Sequence, residues 1–121
     1  MHKSRICAIG IDCLTPDPDV AADFWSAALG RPKGETGGPY VALGTGKEPL
    51  ITFVQKVDHP SRIHLDIETD DVEAEAARLE KLGATRVQKI KTWWVMEAPT
   101  GHRFCVVRLQ EHDGGAWNEW P

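Results

Sequence analysis

Ile9 and Ile11 alternate with Ala8, Gly10 and Asp12 in the opening segment 6–13, a period of two that predicts a strand with one apolar face. Thr15-Pro16-Asp17-Pro18 interrupts it. Asp17 reads as an N-cap and Pro18 as the first helical residue, where its missing N–H costs nothing. The spacing then turns helical, with Val20, Ala21, Phe24, Trp25, Ala28 and Leu29 on one side and Gly30-Arg31-Pro32 as the stop. Residues 33–46 are glycine-rich, with one clear strand at Tyr40-Val41-Ala42-Leu43, and 50–57 forms a stronger one. Asp58-His59-Pro60-Ser61 has the composition of a linker and divides the chain nearly in half.

Beyond the linker the pattern restarts. Arg62-Ile63-His64-Leu65-Asp66-Ile67-Glu68 alternates like the first strand, and Asp70-Asp71 opens a second helix that puts Val72, Ala76, Leu79 and Leu82 on its buried side and ends at Gly83. Three further strands follow at 85–91, 93–97 and 103–109, the last two joined by Ala98-Pro99-Thr100-Gly101, a type I turn by composition. Ile9-Gly10-Ile11-Asp12, with Asp17 five residues on, overlays Ile63-His64-Leu65-Asp66, with Asp71 five residues on, at an offset of 54. An internal duplication accounts for this. A half of that length cannot close its own core, so the pattern predicts an α+β fold. It consists of tandem βαβββ modules, about 5–57 and 62–109, whose mostly antiparallel strands join into one curved eight-stranded sheet with the helices outside. Residues 1–110 then form one domain, and 111–121 a tail carrying Trp117 and Trp120 that either docks through these rings on the domain or on a partner subunit or is disordered, the two rings favouring docking.

Composition narrows the functional classes. With 121 residues, 41% apolar and 26% charged, the chain is one ordinary globular domain, and no run approaches the roughly 20 apolar residues of a membrane span. The net charge of −4, with signs interleaved, offers no footprint for a nucleic acid. The N-terminus lacks a signal-peptide core, so the expected location is the cytoplasm. Cys7, Cys13 and Cys105 form an odd set without a C-x-x-C pair, which reads as reduced thiols, with small apolar filling their default role.

Alternation also nominates a site. If Ile63, Leu65 and Ile67 pack on a helix, then His64, Asp66 and Glu68 face the other way, and the repeat puts Asp12 beside them on a hollow shared by the modules. His64 is the member that titrates near neutral pH by default and is the candidate catalytic base; Asp12 and Asp66 are polar anchors or else structural acceptors for Arg5, Arg62 or Arg103. Trp93 and Trp94 are adjacent in a strand, so one faces the helix layer and the other the hollow or solvent, and an inward ring would offer a flat apolar wall.

Ile11-Asp12-Cys13 with the Asp17-Pro18 turn, Ala22-Asp23-Phe24-Trp25, Ala28-Leu29-Gly30, Arg62 to Ile67, Leu79 to Thr85, and Trp94-Val95-Met96 leading to Pro99, Gly101 and Phe104-Cys105-Val106-Val107 occur in an order and spacing that resembles the vicinal oxygen chelate superfamily (glyoxalase, bleomycin resistance, dioxygenase), in its glyoxalase-like branch. Where that family's last turn usually reads Asp-Pro-x-Gly-Asn, this chain has Ala98 and His102 in place of the Asp and the Asn. The resemblance implies a small-molecule site with a divalent metal (Mg, Mn, Fe, Ni or Zn) that chelates two vicinal substrate oxygens. Its ligand positions map by spacing onto Gly10, Thr52, His64 and Cys105. Only His64 is a conventional ligand there, and Gln55 or Glu97 completes a displaced site only if a strand register shifts. The ligand-binding candidates are therefore Asp12, Gln55, His64, Asp66, Trp93, Trp94 and Cys105, with His64 the metal ligand. Two functions follow from the resemblance: a metal-dependent lyase, isomerase or dioxygenase, or a metal-free protein that sequesters a small organic compound. It also implies a homodimer.

Overall fold

The alternation that opens each half is realised as a strand feeding a helix. In the computed structural model, which describes residues 1–121, β1 (His2–Leu14) leads to α1 (Pro18–Leu29), β2 (Lys33–Gly37), β3 (Tyr40–Leu43) and β4 (Ile51–Val57). The second half repeats this order as β5 (Arg62–Thr69), α2 (Val72–Lys81), β6 (Thr85–Ile90), β7 (Trp93–Glu97) and β8 (Arg103–Arg108). A ninth strand, β9 (Asn118–Trp120), lies in the tail. The fold is α+β with two βαβββ modules, and parallel and antiparallel pairs are mixed within it.

Contacts divide the chain into two compact units. The first comprises Ala8–Ile63 with Glu111–Gly114, and the second comprises Met1–Cys7, His64–Gln110 and Gly115–Pro121. The boundaries therefore cut β1 and β5 rather than the linker. The reason is that residues 2–7 make their side-chain bonds to the second module, as the Asp70 carboxylate accepting from Lys3 N at 2.9 Å illustrates.

In the first unit the strands run in the order β2, β3, β4, β1. β1 pairs in parallel with β4, Ala8 opposite Ile51 through Leu14 opposite Val57, and β3 pairs antiparallel with β4. α1 starts where the Asp17 carboxylate accepts from Asp19 N at 2.9 Å and stops where Gly30 takes φ 67°, a left-handed angle that favours glycine. Ala22 seats this helix against Ile11, Cys13, Val41, Leu43 and Val54, with Ala21 and Trp25 at the margin. Val20 and Phe24, expected on the buried side, are exposed. The Ala21, Ala22, Trp25 stripe takes the sheet, and one helical step of about 100° turns Phe24 away from it.

The second unit has the order β5, β8, β7, β6. β5 and β8 are parallel, Leu65 opposite Phe104 through Thr69 opposite Arg108, and β6 and β7 add antiparallel ladders. Asp71 caps α2 by accepting from Ala74 N at 3.0 Å, and the helix carries Glu73 and Glu75 in its first turn and Arg78 and Lys81 in its last, as its dipole favours. Ala76, Met96 and Val106 form its core, joined by Val72, Leu79, Ala84, Trp94 and Phe104. Ile63, expected under the helices, is 58% exposed and Leu65 44%. A ten-residue helix spans about 15 Å and an eight-residue strand about 26 Å, so β5 outruns its cover.

The tail docks within this unit. β9 pairs antiparallel with the start of β1, His2 opposite Trp120 and Ser4 opposite Asn118. The Trp120 indole donates to Ser4 Oγ at 2.9 Å and lies 3.8 Å under the Arg78 guanidinium, while Trp117 takes Arg5 at 3.7 Å and Lys3 at 4.6 Å over its ring. Close by, the fully buried Glu75 receives two bonds from Arg78, both 2.8 Å, and lies 2.7 Å from His2 Nε2. Burial pushes this carboxyl up, but the bonds from Arg78, His2 and Ser4 and the Arg78 charge outweigh it and hold the group below its ordinary value.

Candidate functional site

Side chains alternate across a strand, so the residues packed on α2 fix which face the others occupy. Trp94 and Met96 of β7 and Phe104 and Val106 of β8 belong to the α2 core. Trp93, Val95 and Cys105 consequently lie on the opposite face, Val95 directly across from Cys105. Cys105 is also across from Asp66 on β5, which brings Asp66 to that face together with His64, two residues earlier.

Three chemically different donors meet there. His64 Nε2 is 3.3 Å from Asp66 Oδ1, and the ligand atoms of His64, Asp66 and Cys105 all lie within 4.8 Å of one another. His64 is 8% exposed, and Asp66 Oδ1 is buried without a partner in hydrogen-bonding geometry, its contact to His64 being a matter of distance alone. A buried carboxylate oxygen left in that condition is costly unless a cation, a proton or a hydrogen-bond donor such as water satisfies it. Donors on one ion with bonds of about 2.0–2.3 Å stand about 3.3–3.8 Å apart in a tetrahedron, a spacing that the 4.8 Å limit on these three approaches. Imidazole, carboxylate and thiolate are all recognised metal ligands, and the set fits a divalent ion.

Glu68, the next residue of β5 on this face, has a different task. It is fully buried and accepts from Arg5 Nε at 2.8 Å and from Gln110 N at 2.8 Å, which ties strand β1 and the end of β8 to β5. Cys7 has no exposed surface and its thiol contacts the Asp66 carbonyl at 3.5 Å. Burial, then the charges of Asp66 and Glu68, push this thiol up, and burial does the same for Cys13. Both behave as packed filler; Cys105 is the half-buried thiol.

Two residues nominated from the sequence stand elsewhere. Trp94 turns to the helix side, where its indole donates to Glu73 Oε1 at 2.9 Å and Arg86 and Lys89 cover its ring. Hydrogen bonds from Arg86 and Trp94 hold the Glu73 carboxyl at about 2. The indole on the donor face is therefore Trp93. Thr52 likewise faces its helix: its hydroxyl accepts from Arg31 Nη1 at 3.0 Å and donates to the Leu43 carbonyl at 3.2 Å. Phe53, paired with Gly10, occupies the face opposite α1. Neither Gly10 nor Phe53 has a ligand atom, so the first unit offers no metal donor at these positions.

Asp12 and Gln55 are partners in the β1–β4 ladder, on the same face as Gly10 and Phe53. Asp12 is 5% exposed, with Arg62 Nε 3.8 Å from its carboxylate. Gln55 borders a shallow cleft of about 450 Å³ that also touches Pro39, Lys56 and His59. Tyr40 and Phe53 meet edge to face on this side at 6.0 Å. Sequence reasoning missed this aromatic pair, and the signal that would have found it is the ladder register rather than any local pattern.

A family model described as a glyoxalase-like domain matches residues 8–107. No curated protein matches the chain in sequence. Among solved structures, the fold is similar to that of a protein described as an NAD-dependent benzaldehyde dehydrogenase from Legionella pneumophila, with a TM-score of 0.64 at 11% identity over 85% of this chain and 98% of that one. It is also similar to methylmalonyl-CoA epimerase from Mycobacterium tuberculosis (0.59, 15%, covering 85% of this chain and 86% of that one). The epimerase from Streptomyces coelicolor, a single-substitution variant in complex with 2-nitronate-propionyl-CoA, gives 0.58 at 17% identity over 86% of this chain and 96% of that one. At these identities the likeness is one of fold.

Proposed function

Because the chain belongs to the glyoxalase-like domain family, we propose that it binds a small oxygen-bearing organic molecule on the face of the second unit opposite α2, with a divalent metal held by His64, Asp66 and Cys105. The observation that carries this reading is the convergence of those three donors within 4.8 Å around a buried, unsatisfied carboxylate oxygen. When bound, such an ion supplies a Lewis acid that polarises a carbonyl or a pair of vicinal oxygens. The residues of the chain do the positioning. Ladder bonds between β5 and β8 hold Asp66 opposite Cys105, and Trp93 offers an apolar ring against which a ligand can lie.

The donor set also bears on the reaction class. A thiolate beside activated dioxygen is the group most easily oxidised, so an isomerase or lyase suits Cys105 better than a dioxygenase does. The epimerases that share the fold act on methylmalonyl-CoA by their description, but a likeness of fold does not carry a substrate across. We place the protein in the cytoplasm as a homodimer: its cysteines form no disulfide, as a reducing compartment keeps them, and pairing would cover the exposed Val20 and Phe24 of α1. No helix is long and apolar enough to cross a membrane.

A second reading has its own support. Gly10 and Phe53 contribute no ligand from the first unit, and His64 and Asp66 already stand 3.3 Å apart, within ion-pair distance of each other without any metal. That arrangement suits a metal-free protein that sequesters its ligand. Metal analysis of protein purified without chelator separates the two. Near-stoichiometric metal that disappears in His64→Ala is the expected result, and metal-free protein that still binds small molecules would leave sequestration as the function.

A further inference from the structure

We infer that the C-terminal tail completes the ligand-binding face: it brings the Trp117 indole to the side of the second unit that carries Trp93, and the two rings together receive a flat aromatic carboxylate. This rests on the small-molecule reading above and deepens it by naming the class of guest. The added wall lies outside residues 8–107, which match the glyoxalase-like family.

The register decides where the ring goes. β9 pairs with β1 so that Asn118 faces Ser4 and Trp120 faces His2, and Trp120 turns to the α2 side, where it meets Ser4 and Arg78. Trp117 is an odd number of residues away and takes the other side. Its ring lies 3.7 Å from the Arg5 guanidinium, whose Nε donates to Glu68, two places beyond Asp66 on β5 and on the same face. The fully buried Glu68 carboxylate anchors this arrangement. One of its oxygens accepts from Gln110 N and the other from Arg5, and Arg5 also donates to the Gly115 carbonyl. With the ring leaning over β1, three strand steps, through β5 and β8 to β7, lead to the strand of Trp93. At about 4.8 Å per step they span about 14 Å.

Hydrogen bonding singles out the same two indoles. Of the five tryptophans, three use their N–H inside the protein: Trp25 on the Cys13 thiol, Trp94 on Glu73 and Trp120 on Ser4. Those of Trp93 and Trp117 meet no acceptor in the protein, although both rings are half-buried. A buried indole N–H usually has a partner. Solvent serves these two when the face is empty, and guest oxygens serve them when it is filled. A ring and a donor at each side select a planar, conjugated molecule with oxygen acceptors at its rim. Lys3, whose ammonium lies 4.6 Å from the Trp117 ring, favours an anionic one.

The test is titration of the full chain, isotope-labelled at its indole nitrogens, with a hydroxynaphthoate whose hydroxyl and carboxylate are adjacent. Nuclear magnetic resonance reads each indole N–H separately, the peaks being assigned through Trp93→Phe and Trp117→Phe. The expected result is saturable movement of the Trp93 and Trp117 peaks while those of Trp25, Trp94 and Trp120 stay in place. In calorimetry with the same probe, Trp117→Leu should weaken binding by about tenfold or more, the size of one ring contact plus one hydrogen bond. Should Trp117→Leu fail to fold, the resonances of the native chain decide alone. Movement of Trp93 with Trp117 still, or a folded Trp117→Leu chain that binds as tightly as the parent, overturns the role of the tail and leaves the ligand face standing. Movement of neither peak overturns both.

Discussion

Glu75→Gln removes one charge from the bottom of the second unit while keeping the side chain's shape. The carboxylate is fully buried and engages Arg78 through two bonds of 2.8 Å and His2 at 2.7 Å. Charge-assisted bonds contribute about 1.5–3 kcal/mol each, and breaking a buried pair costs about 3–5 kcal/mol because the surviving charge is stranded. The amide can still accept one Arg78 N–H, and the Arg78 side chain, 25% exposed, regains some water. The net loss expected is about 3 kcal/mol. Urea unfolding at neutral pH, followed by circular dichroism, should show the midpoint fall by roughly 1–2 M with an unchanged slope. The pH dependence has a definite sign. Glu75 is held below its ordinary value of 4.5 in the fold, so its contribution is present above pH 4.5 and is lost as pH falls through the folded value. The variant should lose stability less steeply than the parent on acidification below pH 4.5. A loss under about 1 kcal/mol at neutral pH, or acid limbs of equal slope, would refute the claim that this network anchors the N-terminal strand.

Two other substitutions test neighbouring features. Trp120→Ala removes the hydrogen bond to Ser4 and the stack on Arg78, about 1 kcal/mol each, so calorimetry should find the variant less stable by about 2 kcal/mol. Gly83→Ala should cost about 2 kcal/mol in urea unfolding, because φ is 110° there and the added Cβ would sit 3.0 Å from Pro99 Cγ.

The duplicated βαβββ order was legible because each module opens with a clean alternation and each helix with an aspartate cap, Asp17 or Asp71. His64 and Asp66 could be assigned a common face for the same reason. Where alternation fails, so does the assignment. Ile51-Thr52-Phe53-Val54 has bulk at every position, and the face of Thr52 was decided by the helix packed over it, whose end carries Arg31. Trp93-Trp94 is equally ambiguous until Glu73 on α2 claims one indole. The membership of residues 2–7 in the second unit depends on partners more than sixty positions away, and the three-residue β9 is too short to have a period.

That adjacent pair of indoles has a practical consequence. Trp94 is wedged among Glu73, Arg86 and Lys89, while Trp93, on the reverse of the same strand, shares its side with Cys105. One backbone step thus separates a reporter of helix attachment from a reporter of the face on which a guest is proposed to bind. Emission from a chain retaining Trp94 alone follows unfolding; emission from one retaining Trp93 alone answers to whatever settles beside the thiol. Structure loss and occupancy can then be watched as separate optical signals in a single molecule.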